Sequence, residues 1–412
     1  MASSVVDDER ALIAHVLRRT TFGPFPGQTE QWVGRDIGAV VEAVLTAQPM
    51  APGTPELSDD DADAGNGPIE RWLTVLADPA AGLHEKLVWF WHGHLTTSYD
   101  KVGQWRLLWR QHLLLRRHAL GNFRTLLHEI TRDPAMLVYL DGAGSRADAP
   151  NENFGRELLE LFALGRGNYT QGDVRAAAIA LAGMDIDDDG DVVIDSDAVN
   201  GEPRELFGRK VFGAHDVIDA VCDQPACAPF LVTELFRFLC GADPEPATLG
   251  RLADIFVNSG LEIRPLVTEI LYSAEFLGSR SARPRYPIEW VTAASAVFGF
   301  DDIAARREAV ERLGQVPFEP PNVAGWPSGS RWLSPSHTMA RAALAIEAPP
   351  LAQLAAAADP VTAAFERAAI YDPTPTTRDA VTALAATPGL DPRARAAAIL
   401  ACVVSSPEFT LS

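Results

Sequence analysis

The chain has 412 residues, 47% of them hydrophobic and 22% charged, which is the composition of a folded protein with a sizeable core and excludes a disordered one. Its formal charge of −20 argues against nucleic acid and anionic membrane surfaces as partners and leaves cations as the natural counter-species. Four cysteines are too few for a disulfide framework, the N-terminus lacks a basic and then apolar leader, and no stretch reaches about 18 uninterrupted apolar residues, so a cytoplasmic protein is expected.

Apolar residues at helical spacing predict helices over 9–19 and 33–47, followed by an Asp-, Pro- and Gly-rich stretch from Ala51 to Gly67 that reads as an exposed loop. From Pro68 to Leu140 the pattern is nearly all helical, over 69–76, 83–94, 102–118 and 123–131, with a short helix after Pro134. The run Leu87-Val-Trp-Phe-Trp-His-Gly-His94 should be buried all round, which sets His92 and His94 against the core. Ser98, a hydroxyl not far from His94, reads as a helix cap rather than a nucleophile.

The densest chemistry lies in Asn151-Glu-Asn-Phe-Gly-Arg-Glu-Leu-Leu-Glu-Leu-Phe-Ala-Leu-Gly165. Asn151 or Asn153 suits the N-cap, Phe154, Leu158, Leu161 and Phe162 recur at helical spacing, and Gly165 stands where a left-handed C-terminal cap belongs. Glu157 borders the apolar face and Glu160 lies further toward solvent, so Glu157 should be partly buried and must be paired, hydrogen-bonded or bound to metal. Thr170 and Asp173 then form a capping box for a helix to about Leu181.

Met184-Asp-Ile-Asp-Asp-Asp-Gly-Asp-Val-Val-Ile194 gives a β-hairpin signal, the one clear β element. Asp185, Asp187 and Asp189, with Gly190, match the opening of a calcium loop, but position 12 is Ser196 rather than a bidentate Glu, so an acidic hairpin turn is favoured over weak Ca²⁺ binding. Beyond it, helices are predicted over 230–239, 247–257, 263–272, 288–298 and 303–313, and then Ala-rich helices over the last 70 or so residues. The proline-rich loop Pro317-Phe-Glu-Pro-Pro-Asn-Val-Ala-Gly-Trp-Pro327 is rigid and puts Trp326 and Asn322 forward as pocket-lining residues. His215, Cys222, Cys227 and Cys240 have spacings that fit no compact zinc knuckle. No nucleophile elbow, Walker loop or dinucleotide fingerprint is present.

With Phe90-Trp-His-Gly-His94, the Asn151 to Gly165 stretch, Tyr169-Thr-Gln-Gly-Asp-Val174 and Pro320-Pro-Asn-Val-Ala-Gly-Trp-Pro327 in view, the chain resembles a bacterial family known as domain of unknown function 1800. The resemblance runs from Leu17-Arg-Arg-Thr-Thr-Phe-Gly23 to Arg341. It implies a predominantly helical architecture but no reaction, since the family's activity is not established. Members often carry export signals and are often encoded beside proteins resembling alkaline phosphatases and sulfatases, which makes a sulfatase-like protein an implied partner. This chain departs from the family in lacking an export signal and in reading Val199-Asn200 where a His-Asp pair is usual.

The expected architecture is a mainly α, multi-helical array in one unit, with lobes 1–183 and 205–412 joined by a hairpin segment, 184–204. Two functional readings follow. In the first, an enzyme uses a divalent metal (Zn, Fe or Mn) to activate water or oxygen. His92, His94, Glu152 and Glu157 are then ligands, with Glu157 alternatively the general base, Glu160 a supporting carboxylate and Arg156 an anchor for an unknown small-molecule substrate. Residues two apart on a helix point about 200° from each other, so both histidines reach one ion only if Gly93 breaks the helix. In the second, the protein is a non-catalytic binding or maturation protein, and the same Glu, Arg and His cluster is a structural ion-pair lock.

Overall fold

A computed structural model describes residues 2–47, 67–199, 201–348 and 351–412, with side chains from residue 7 onward. Most of the stretch expected as an exposed loop from Ala51 to Gly67 lies outside the described residues. The chain is mainly α, and no described helix is long and apolar enough to cross a membrane.

The first layer comprises α1 (Ala2–Thr20), α2 (Ile37–Thr46), α3 (Gly67–Leu76) and α4 (Gly82–His94). It continues through α5 (Tyr99–Val102), α6 (Trp105–His118), α7 (Phe123–Thr131) and α8 (Pro134–Tyr139). Local signals set these ends: Asn122 and Asp133 accept N–H groups of the first turns of α7 and α8. Helix α4 carries apolar residues on every side and is buried nearly throughout, as its sequence predicts.

Next come α9 (Glu152–Glu157), running directly into a π-helical segment, Leu158–Ala163, and α10 (Gln171–Leu181), which opens on the expected Thr170/Asp173 capping box. Strands β1 (Met184–Ile186) and β2 (Val192–Ile194) pair antiparallel as expected. A second hairpin, β3 (Arg204–Leu206) with β4 (Arg209–Val211), was not legible. Its two-residue turn puts both Phe207 (φ 51) and Gly208 (φ 74) in the left-handed region, and Phe-Gly lacks the Asn-Gly or Asp-Gly signature of such turns.

The remaining helices that frame the site are α11 (Ala214–Cys222), α12 (Cys227–Cys240), α13 (Pro246–Asn258), α14 (Ile263–Leu271), α15 (Ala274–Gly278), α16 (Pro287–Phe298) and α17 (Ile303–Arg312). Sequence periodicity did not anticipate α11. A C-terminal layer of Ala-rich helices, led by Pro335–Glu347 and Pro392–Ser405, closes over α16.

One contiguous apolar cluster runs from Ile13 to Phe409. Helix α1 lies against α12 and α15, and Arg19 donates to the carbonyls of Leu239 (3.1 Å), Ser279 (2.8 Å) and Ser412 (2.6 Å). The first helix is thus tied to segments more than two hundred residues away.

Candidate functional site

The motif helix begins as expected, with the Asn151 side chain accepting the Asn153 N–H at 2.9 Å. Gly155 lets α9 approach α10 closely, since a Cβ there would meet the Val174 carbonyl at 3.0 Å and the Ala178 nitrogen at 3.1 Å. After Glu157 the hydrogen-bond ladder widens, and Leu164 N–H reaches back five residues to the Leu159 carbonyl (3.1 Å). His94 Nε2–H donates to the Phe162 carbonyl in this widened segment at 2.9 Å. Because a carbonyl can only accept, the neutral ring keeps Nδ1 as an acceptor. Gly165, at φ +77, forms the left-handed stop, with a would-be Cβ 2.9 Å from the Phe230 ring.

The expected metal ligands do not come together. Gly93 stays helical, so His92 and His94 leave α4 in different directions. His92 is 1% exposed and accepts the Phe318 N–H on Nε2 at 3.0 Å, inside a cage of Trp72, Trp89, Phe318 and Trp326 rings. Burial pulls its pKa down to about 3 and that of His94 below the usual value. Its role is to dock the proline-rich loop: Phe318, held at φ 67, is pinned through its N–H by His92 and through its carbonyl by Tyr99 N–H (2.8 Å). Glu152 instead pairs on the surface with Arg156 (3.2 Å) and accepts from Gln171 (2.6 Å), which in turn occupies Arg156 at 3.1 Å. Arg156 therefore braces α9 against the start of α10.

Glu157 is half-buried, as expected, yet it makes no hydrogen bond or ion pair with any described residue. Burial, then the neighbouring Glu160 charge, raises its pKa. The ion-pair lock is thus not at Glu157. It lies at Glu289, which takes both guanidinium nitrogens of Arg283 (2.9 and 2.8 Å), the Lys86 ammonium and the Tyr286 N–H (2.9 Å), all in the interior. Burial lowers the Lys86 pKa to about 7 despite the opposing pull of Glu289, and Arg283 and Lys86 together keep Glu289 ionised. A signal for this was in the sequence: Lys86 sits within a helix that reads as buried on every side.

The acidic hairpin turn is closed by its own side chains. Asp187 Oδ1 accepts the N–H groups of Asp189 (3.0 Å) and Asp191 (2.9 Å), and Asp185 turns back onto the Ile186 N–H (2.9 Å). Arg106 reaches the Asp189 carbonyl, and Arg110 reaches the Gly190 carbonyl (3.1 Å) and the Asp191 carboxylate. Two arginines of α6 thus pin the turn through backbone carbonyls and the Asp191 carboxylate. Cys222, Cys227 and Cys240 are buried free thiols, and the first two share a hydrogen bond.

What does converge is a cavity of about 440 Å³ between α4, the π-helical segment, α12 and the proline-rich loop. His94 and Glu160 line it, and so does Trp326, stacked on Trp89 at 4.8 Å. Asn322 is not among the lining residues, because its side chain closes its own turn on the Ala324 N–H (2.9 Å). Phe230, Glu234, Phe238 and Arg283 complete the wall; they stand in segments that read simply as helix or loop. Glu160 is held as an anion by the Tyr169 hydroxyl and then by Arg166 Nε at 2.6 Å, which lower its pKa. The loop reaches α4 through Gly325 (φ +77), where a Cβ would strike the Gly93 carbonyl oxygen. The glycines of the two motifs are therefore a contact pair.

No curated protein and no solved structure matches the chain. A family model described as "Protein of unknown function (DUF1800)" matches residues 15–411. That span takes in each segment that walls the cavity, and the chain belongs to this family.

Proposed function

We propose that this is a ligand-binding protein whose site is the cavity lined by His94, Glu160 and Trp326. The observation that carries the reading is convergence: segments near residues 94, 160 and 326 meet there, and glycines at 165 and 325 permit the close approaches. The cavity combines an aromatic wall with few free polar valences, the usual make-up of a small-molecule site. Its cations are already engaged, Arg166 by Glu160, Arg237 by Glu234 (2.6 Å) and Asp243 (2.7 Å), and Arg283 by Glu289. The acceptor on His94 and the carboxylates of Glu160 and Glu234 favour a ligand with a flat apolar body and an amine or hydroxyl donor.

Trp89 and Trp326 supply a built-in reporter. Phenethylamine and benzyl alcohol should quench tryptophan emission saturably, benzoate should not, and Glu160→Gln and His94→Ala should each weaken the response. Equal quenching by benzoate, or undiminished quenching in both variants, would overturn the assignment.

A further inference from the structure

A second group of chemically competent side chains lies away from the cavity, where α7 packs against α11. His128 projects from α7, and His215 and Asp219 stand four residues apart on α11, which puts them on one face. Among the described residues these three form the group whose ligand atoms all lie within 4.8 Å of one another. The two imidazole rings stack at 4.5 Å between centroids. His128 and Asp219 are half-buried, whereas the His215 side chain is 67% exposed.

The separations discriminate between two explanations. His128 Nε2 stands 3.3 Å from Asp219 Oδ1, and His215 Nδ1 stands 3.4 Å from Asp219 Oδ2. Charge-assisted N–H···O bonds contract to about 2.7–2.9 Å, so neither contact has the length of a strong hydrogen bond. Ligands about 2.0–2.1 Å from a tetrahedral ion stand about 3.3–3.4 Å apart, which is the spacing of His215 Nδ1 from Asp219 Oδ2, and His128 completes a set whose ligand atoms lie within 4.8 Å of one another. Arg124 already grips Asp219 Oδ1 at 2.9 Å and Asp223 Oδ1 at 2.6 Å, which fixes the carboxylate and leaves Oδ2 for a ligand bond. Arg209 takes the other oxygen of Asp223 at 2.5 Å.

We propose that His128, His215 and Asp219 form a divalent-cation site of the Zn²⁺ class, clasping α7 to α11 and leaving an outward coordination position open to water. Two imidazoles and one carboxylate suit a borderline ion. Asp216 does not join them, because its carboxylate accepts the Phe212 N–H (2.9 Å).

The test uses the full chain, free of any metal-binding tag, titrated with Zn²⁺ alone against a chromophoric chelator and with Co²⁺ alone for its visible absorption. The unmodified protein should take up one equivalent, give low-coordinate Co²⁺ bands and melt at a higher temperature with Zn²⁺ present. His215→Ala, at an exposed position that carries no part of the core, should lose the equivalent, the bands and the thermal shift together. Asp219→Asn should do the same. Failure of the parent to compete with the chelator, or an equivalent retained in His215→Ala, would overturn the proposal.

Discussion

Glu289→Gln is the sharpest test of how this fold is held together. The native carboxylate neutralises Lys86, whose side chain is 0% exposed, and Arg283, at 4%. It also accepts the Tyr286 N–H at the start of α16. Glutamine keeps the shape and one acceptor oxygen but turns an amide toward two buried cations. Removing one partner from a buried pair costs about 3–5 kcal/mol, because the remaining charge stays desolvated. Arg283 is left stranded with its full charge, whereas Lys86, already lowered to about 7, can shed its proton, so a loss toward the lower end of that range is expected. Domains are stable by only about 5–15 kcal/mol, so the variant should lose a large share of its margin. Urea unfolding at pH 7, followed by far-UV circular dichroism, reads the loss as a lower midpoint at unchanged slope. A companion Lys86→Met removes one stranded cation at the cost of its bonds to the Thr21 (2.8 Å) and Arg18 (3.3 Å) carbonyls. The double variant should therefore be more stable than the sum of the single losses by roughly 1–3 kcal/mol. A Glu289→Gln protein within about 1 kcal/mol of the parent, with no coupling to Lys86, would refute the reasoning.

Acid should undo the protein through its histidines. Burial pulls His15 and His92 down to about 3 and His112 well below its usual value, so between pH 6.5 and 5 the unfolded chain binds protons that the folded chain refuses. The buried Asp133 carboxyl, raised to about 7, holds a proton in the folded chain over the same window and offsets about one of these histidines, so stability falls by roughly 3 kcal/mol per pH unit below pH 6.5; a flat profile over that window would contradict it. Gly325→Ala should pay roughly 1–3 kcal/mol for its left-handed backbone alone. It should also push the loop off Gly93 and shift tryptophan emission as the Trp89–Trp326 stack opens, whereas unchanged emission and melting temperature would show that the contact is unimportant.

The sequence alone carried the helical architecture, because each signal is local. The Asn122 and Asp133 caps, the Thr170/Asp173 capping box and the acidic turn at Gly190 act through neighbours a few residues away. It also carried the rigidity of the loop that holds Trp326 and Asn322, since prolines and a glycine stiffen it whatever surrounds it; of the two, Trp326 lines the cavity. Local pattern failed where one residue changes the geometry without changing the composition. The apolar spacing of Phe154, Leu158, Leu161 and Phe162 is as compatible with the π-helical segment as with an α-helix, so the carbonyl that orients His94 was invisible. Helix α11, and with it the pairing of His215 and Asp219 with His128, went unread for lack of a start signal: Gly213 at its N-cap makes no side-chain bond.

Tertiary structure alone decided which charges are paired in the interior. Arg283 and Glu289 look like ordinary charged residues in their own segments, Lys86 hints at burial only through the apolar helix that holds it, and Glu157 looks like the one that needs a partner. Whether a carboxylate is desolvated depends on what packs over it from hundreds of residues away. Glu157 remains half in solvent and goes unpaired, whereas Glu289 lies 3% exposed between α4 and the strand-like segment at Arg283, where only two cations could hold it ionised.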